Sequence, residues 1–213
     1  MKVFALFLSC VLLLGAMVAG CRSNVPQETD GHITPTDAST NPTVMTEATV
    51  PSAPVGTAES DSAKILQNIW EQYPENERFA VYGGAVEQSV ADGPGDLDML
   101  MTEELTTRYM LPEDQLQKVE QGASLVHLMN NNIFTAAVFR VKEDVQNLAK
   151  SWRAGIQETR WICGQPDRLI MAQPVEGFLL MAFGSQDAMA SFRSKLIAAF
   201  PAAQILYEEA IVA

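Results

Sequence analysis

Cysteine and histidine are nearly missing from this chain, which holds three of the first and two of the second in 213 residues. Cys10 and Cys21 fall at the very start, so Cys163 stands alone in the remainder. One thiol cannot close an internal disulfide, and the fold must rest on its core. With His127 the one histidine of the C-terminal two-thirds and His32 isolated in polar sequence, a zinc site lacks its ligands; such sites take roughly three or four. Cys163 reads as a small buried apolar residue, and His127 as a strand-face residue packed or hydrogen-bonded to its neighbours. No G-x-S-x-G occurs, and only His127 is available as base to Ser124, Ser185 or Cys163, which argues against a nucleophilic triad. Gly83-Gly84 lacks the Gly-Lys-Ser/Thr of a phosphate loop. No catalytic residue, metal ligand or cofactor is assigned on these grounds.

Positive charge is scarce too. Fourteen Lys and Arg face 26 Asp and Glu, a formal net charge of −12, which argues against nucleic acid or anionic lipid as a direct ligand. Residues 61–120 carry 13 acids against four bases, whereas residues 121–213 carry eight of each. Within the acidic half, Asp92, Asp96, Asp98 and Glu103 stand at positions one, five, seven and twelve of a calcium-loop pattern. Position three is Pro94 and position six, where the sharp turn requires glycine, is Leu97, so the pattern fails as an EF-hand. These four acids remain a candidate cation or partner surface. The pairs Glu103-Glu104 and Glu113-Asp114 open predicted helices, where the helix dipole accounts for them.

The first residues are rich in what the rest lacks. One Lys precedes an apolar run over Val3–Leu14 and small residues to Gly20, the order of a secretory signal. Val18-Ala19-Gly20-Cys21 resembles the lipobox of bacterial lipoproteins. That resemblance implies recognition of Val18, Ala19 and Gly20 by a signal peptidase, lipidation of Cys21 and removal of residues 1–20. Two acyl chains would hold the chain on a membrane, at about 0.8 kcal/mol per buried methylene. Residues 21–60 follow with five prolines, a dozen Ser and Thr and few large apolar groups. Such a segment cannot offset its chain entropy and is predicted to be a disordered tether spanning about 35 Å root-mean-square.

Residues 61–213 are predicted to form one α+β domain. Asp61 or Ser62 caps a helix with Ile65, Leu66, Ile69, Trp70 and Tyr73 on one side. A strand within 78–86 leads to a loop over 91–98. Thr102 caps a short helix to Tyr109, and Pro112 opens another that Gly122 ends. "SLVHLM" and "IFTAAVFRV" flank Asn130-Asn131-Asn132 as a hairpin, followed by a helix with Val145, Leu148, Trp152 and Ile156 on one face. Forty-four residues on, "RLIMAQ", "FLLMAFG" and a helix with Met189, Phe192, Leu196 and Phe200 repeat the pattern. Phe139 falls on Phe183, Leu148 on Phe192 and Trp152 on Leu196. The expectation is an antiparallel sheet from two ββα units, about 123–162 and 167–200, with helices packed on it and short helices before it. The terminal "AQILYEEAIVA" fits either strand or helix. Lys150, Arg153 and Arg160 share one side of the third long helix, and Trp152 and Trp161 read as core or core edge.

The runs "LMTEELTTRYMLPEDQLQKVE", "IFTAAVFRVKEDVQNLAKSWRAGIQ" and "GFLLMAFGSQDAMASF", together with the lipobox and tether, resemble lipoproteins of Gram-positive bacteria with the C-terminal domain of unknown function 4358. At the turn after Tyr109 this chain has Met110 where that family would be expected to carry glycine. The resemblance implies location on the extracytoplasmic face of a bacterial cell membrane and an α+β fold, and it supplies no activity. The expectation is a membrane-anchored lipoprotein with a non-catalytic binding domain. Its partners would be the membrane, through the lipid on Cys21, and an envelope protein or wall polymer, with no nucleic acid. The alternative is a cell-envelope hydrolase using acids of residues 92–114. A substrate-capture lipoprotein serving a transporter is a third class, and the small size of the domain counts against it.

Overall fold

A computed structural model describes residues 60–162 and 164–212. Val18, Ala19, Gly20, Cys21, His32 and Cys163 lie outside the described residues, as does the predicted tether up to residue 59. Among the described residues no helix is long and apolar enough to cross a membrane.

Helix α1 (Asp61–Trp70) begins one residue earlier than its predicted caps. Ser60 is the N-cap, accepting from the Ala63 amide at 3.1 Å, while its hydroxyl donates to the Asp96 carboxylate. Ile65, Leu66, Ile69, Trp70 and Tyr73 are all buried, as their spacing requires. The segment 78–98 is less regular than a strand and a loop. It forms three short strands, β1 (Val81–Gly83), β2 (Val90–Ala91) and β3 (Gly95–Asp96). Helix α2 (Thr102–Thr107) starts after Met101, which makes no side-chain cap bond, so Thr102 is its first residue and not its cap. The turn that follows Tyr109 places Met110 at φ +54°, a left-handed conformation that costs a side-chain-bearing residue about 1 kcal/mol.

The helix predicted over 112–122 is a 3-10 helix that gives way to a strand for its last four residues. Glu113–Lys118 make a short 3-10 turn, and β4 runs over Val119–His127. Gly122 is therefore not a helix stop. It lies within β4, where an added Cβ would meet Phe139 Cε1 at 2.6 Å. Leu128 and Met129 fall in the turn and are exposed. The order then follows the predicted pattern: β5 (Phe134–Val141), α3 (Val145–Gln157), β6 (Arg168–Gln173), β7 (Phe178–Gly184), α4 (Gln186–Ala199) and β8 (Gln204–Ala210). The C-terminal segment is thus a strand.

All eight strands join one antiparallel sheet in the order β2-β1-β4-β5-β7-β6-β8, with β3 beside β1 on the same edge of β4. Side chains alternate cleanly. Phe134, Ala136 and Val138 of β5 face one core with α1 and α4, while Ala137, Phe139 and Val141 face the other with α3 and Leu105 of α2. The two ββα units therefore match in their strands, Phe139 and Phe183 lying on the same face, and differ in their helices. Leu148 and Trp152 of α3 lie on one face, Phe192 and Leu196 of α4 on the opposite one.

Connection geometry explains the difference. Strands β5 and β6 both pair antiparallel with β7 and so run parallel to each other; β7 and β8 are parallel through β6 in the same way. Each helix is a crossover that skips one strand and moves toward the β8 end. Because β7 runs opposite to β5, two crossovers of one hand that advance in the same direction must use opposite faces. The twist of strands favours the right-handed form.

Candidate functional site

The sheet edge built from β1, β2 and β3 carries the concave surface of the acidic half. Here the chain leaves β4 at Gly83 and re-enters at Gly95, whose partner on β4 is Ser124. The two passes are so close that a Cβ on Gly83 would lie 2.3 Å from the Gly95 amide nitrogen and 2.4 Å from the Ser124 carbonyl oxygen. Ser124 is fully buried, and its Oγ accepts from the Gly84 amide at 3.0 Å and from the Tyr109 hydroxyl at 2.9 Å. Trp152 Nε1 in turn donates to the Tyr109 carbonyl at 2.8 Å. Burial raises the pKa of Tyr109, partly opposed by its bond to Ser124 and by the Arg108 charge. Ser124 is therefore a structural hinge pin. His127 also has structural work, its Nδ1 accepting from the Met129 and Asn130 amides at 3.2 and 3.3 Å while its ring stacks on Phe79.

Arg108, at the end of α2, is the centre of this edge. Its Nη1 is 3.3 Å from Glu104 Oε1, and its guanidinium lies 5.8 Å from the Tyr82 ring centroid. Both paired atoms are buried yet neither makes a hydrogen bond among the described residues, so the contact is an ion pair without hydrogen-bond alignment. Three clefts surround the pair. Glu104 lines one of about 270 Å³ with Val86, Glu87, Asp96, Asp98 and Met101. Arg108 lines a second of about 560 Å³ with Tyr82, Val86, Asp92 and Leu128, and a third of about 280 Å³ with Asn131, Arg160 and Trp161.

The four acids singled out in the sequence are not brought to one point. Asp96 and Asp98 share the cleft that Glu104 lines. The Asp96 carboxylate is held by Ser60, and Asp98 Oδ1 accepts from the Leu100 amide at 2.9 Å. Asp92 lines the largest cleft in a left-handed conformation, φ +57°, with its carbonyl accepting from Trp70 Nε1 at 3.1 Å. Glu103 is exposed on α2, and its carbonyl accepts from Thr107 Oγ1 at 2.6 Å. Among the described residues no group of three or more His, Cys, Asp or Glu side chains has the geometry to hold a metal ion. Glu87 and Arg108 escaped the sequence reading, and Glu104 entered it only as a helix-opening acid within 92–114. The one local signal was the i, i+4 spacing of Glu104 and Arg108, which is also the spacing of an ordinary helix-surface pair.

The basic stripe predicted on α3 is divided. Arg153 makes a bidentate pair with Glu209, at 2.7 Å on each arm, whereas Arg160 lies three residues beyond the end of α3, off the helix that was predicted to carry it, and makes no ion pair or side-chain hydrogen bond among the described residues. No family model, curated protein or solved structure matches this chain.

Proposed function

We propose that the chain is a membrane-anchored lipoprotein of the extracytoplasmic face of a bacterial cell membrane, with residues 61–213 serving as a non-catalytic binding module. The observation that carries the reading is Val18-Ala19-Gly20-Cys21 at the end of an apolar leader, followed by the Pro- and Thr-rich stretch to residue 60. The resemblance to the lipoproteins with domain of unknown function 4358 supports the same location. The docking face proposed is the β1–β3 edge, for an envelope protein with apolar and basic side chains. Val86 and Leu128, 56% and 55% exposed, offer apolar surface there, and Glu87, Asp96 and Asp98 supply the charge to match.

Metabolic labelling with radioactive palmitate tests the anchor. The wild-type chain takes up label and Cys21→Ser does not; a wild-type chain that never labels ends the claim. Crosslinking on intact cells tests the face. The double change Glu87→Gln, Asp98→Asn is expected to abolish capture of an envelope partner, and unchanged capture would move the docking face elsewhere.

A further inference from the structure

Apolar side chains protrude together at one end of the sheet. Met129 in the β4–β5 turn is 82% exposed, and Ile133 at the end of that turn is 39% exposed. Ile162, also 82% exposed, is held beside them, because Asn132 Nδ2 donates to the carbonyls of Ile162 and Gly164. Trp161 is half-buried next to Ile162, its ring edge-on to Phe183 at 5.1 Å between centroids, and Arg160 before it is exposed. An apolar cluster shared by two tied loops marks a contact surface more strongly than single exposed residues do.

The polar groups of this turn are bonded internally. His127 Nδ1 accepts from the Met129 and Asn130 amides at 3.2 and 3.3 Å, and Asn130 Oδ1 accepts from the Asn132 amide at 2.9 Å. The Asn130 carbonyl accepts from the Ile133 amide at 3.0 Å, and Asn131 Oδ1 receives the Tyr82 hydroxyl at 3.3 Å. Backbone N–H groups without partners make an ordinary turn costly to dehydrate; here these four are satisfied before any contact forms. Leu100 shows the contrast. It is 89% exposed, but Asp98 and Glu103 flank it in sequence, and their charges favour water around that loop.

We propose that this tip, formed by Met129, Ile133, Trp161 and Ile162, rests in the interface of the bilayer that anchors the chain, with Arg160 at the level of the lipid phosphates. The proposal rests on the lipoprotein reading above. Aliphatic side chains beside a tryptophan and an arginine suit the boundary between acyl chains and headgroups. The root of the anchor allows this pose. Ser60 precedes Asp61, whose carboxylate is 3.7 Å from Arg140 Nη1 at the far end of β5, about 20 Å from the tip at about 3.3 Å per residue. Residues 22–59 can reach several times that distance at about 3.3 Å per extended residue. Anchoring also raises the effective concentration of the tip at the surface. A few apolar side chains too weak to hold a free chain of net charge −12 on a membrane then suffice. Such contact would set the orientation in which the β1–β3 edge meets its partner.

The test uses the full-length chain purified from membranes of the cells expressing it and returned to phosphatidylcholine–phosphatidylglycerol vesicles with brominated acyl chains, which quench tryptophan at close range. Flotation reads the anchor, and quenching reads the tip. Trp70 and Trp152 are buried, so the vesicle-bound chain is expected to lose roughly the emission share of one tryptophan in three. Trp161→Phe should remove that loss. Met129→Ser combined with Ile162→Ser should abolish it and leave the urea midpoint unchanged, since both residues are exposed. A chain that floats without quenching overturns the tip contact and leaves the anchor standing; one that does not float overturns the anchor and the tip with it. Quenching that survives the double change also overturns the proposal. So does a detergent-resistant dimer, or a protein crosslinked at the tip, that the double change removes while lipid quenching is absent.

Discussion

The two ends of the sheet are built on opposite plans. At the β8 end both charged residues of the strand are paired. Glu209 points to the α3 face and takes Arg153 and Gln157, while Glu208 points to the α4 face and takes Arg193 at 2.7 Å. Arg153 also lies 5.0 Å from the Tyr207 ring centroid, and a bulge at Leu206 interrupts the regular ladder of this edge strand. At the β1 end the strands are two or three residues long, two glycines pass in contact, and the buried Glu104 Oε1 and Arg108 Nη1 lack hydrogen bonds among the described residues. One edge is closed by ion pairs against further pairing; the other spends its irregularity on clefts.

Breaking the glycine crossing tests this contrast most severely. Gly83→Ala puts a methyl group into the backbone of Gly95 and Ser124, where no flexible side chain can yield. A loss of more than about 3 kcal/mol is expected in urea unfolding, or failure to fold. A loss below about 1 kcal/mol would mean that the β1 and β3 segments are loosely docked on β4.

Removing the serine beneath the crossing acts more gently. Ser124→Ala leaves both the Tyr109 hydroxyl and the Gly84 amide without their acceptor in a fully buried place. About 2 kcal/mol of stability should be lost, and Tyr109→Phe should restore part of it by deleting one of the orphaned donors. A double variant no better than Ser124→Ala would show that the hydroxyl pair contributes nothing to this edge.

The central strands were legible as short, nearly continuous apolar runs bounded by turn residues, as in Phe134–Val141 and Phe178–Gly184, which are buried on both faces. The helix after β5 was legible from the apolar spacing in Leu148–Ile156. Two- and three-residue strands hold no period, so β2 and β3 were hidden and β1 was legible only as a strand somewhere within 78–86, while Gly122 looked like a helix stop when it answers to Phe139 across the sheet. That α3 and α4 take opposite faces follows from strand direction and connection, which side-chain patterning does not encode. Asp96 and Asp98 were legible as part of an acidic cluster. Glu104 follows Asp98 by six residues and was within the same acidic stretch, whereas Glu87 joins that cleft only through the fold of the β1–β3 edge, and Arg108 meets Arg160 and Trp161 only through tertiary contact.

At the β8 end the expected effects are smaller and carry a pH signature. The Arg153 hydrogen bond lowers the pKa of Glu209 from its ordinary 4.5, opposed by partial burial and assisted by Gln157. A depressed acid contributes stability that is present in full above pH 4.5 and is lost as the pH falls below that value through its folded-state pKa. Arg153 is 37% exposed and Glu209 26%, so solvent screens the pair, and Glu209→Gln should cost only about 0.5–1 kcal/mol at neutral pH. Urea unfolding should show that deficit shrinking as both proteins are acidified, since wild-type Glu209 then loses its charge. A deficit that persists undiminished in acid would assign the stabilisation to packing of the side chain on Tyr207 and Arg153. The β8 edge would then be closed by shape, and its contrast with the β1 edge would not be electrostatic.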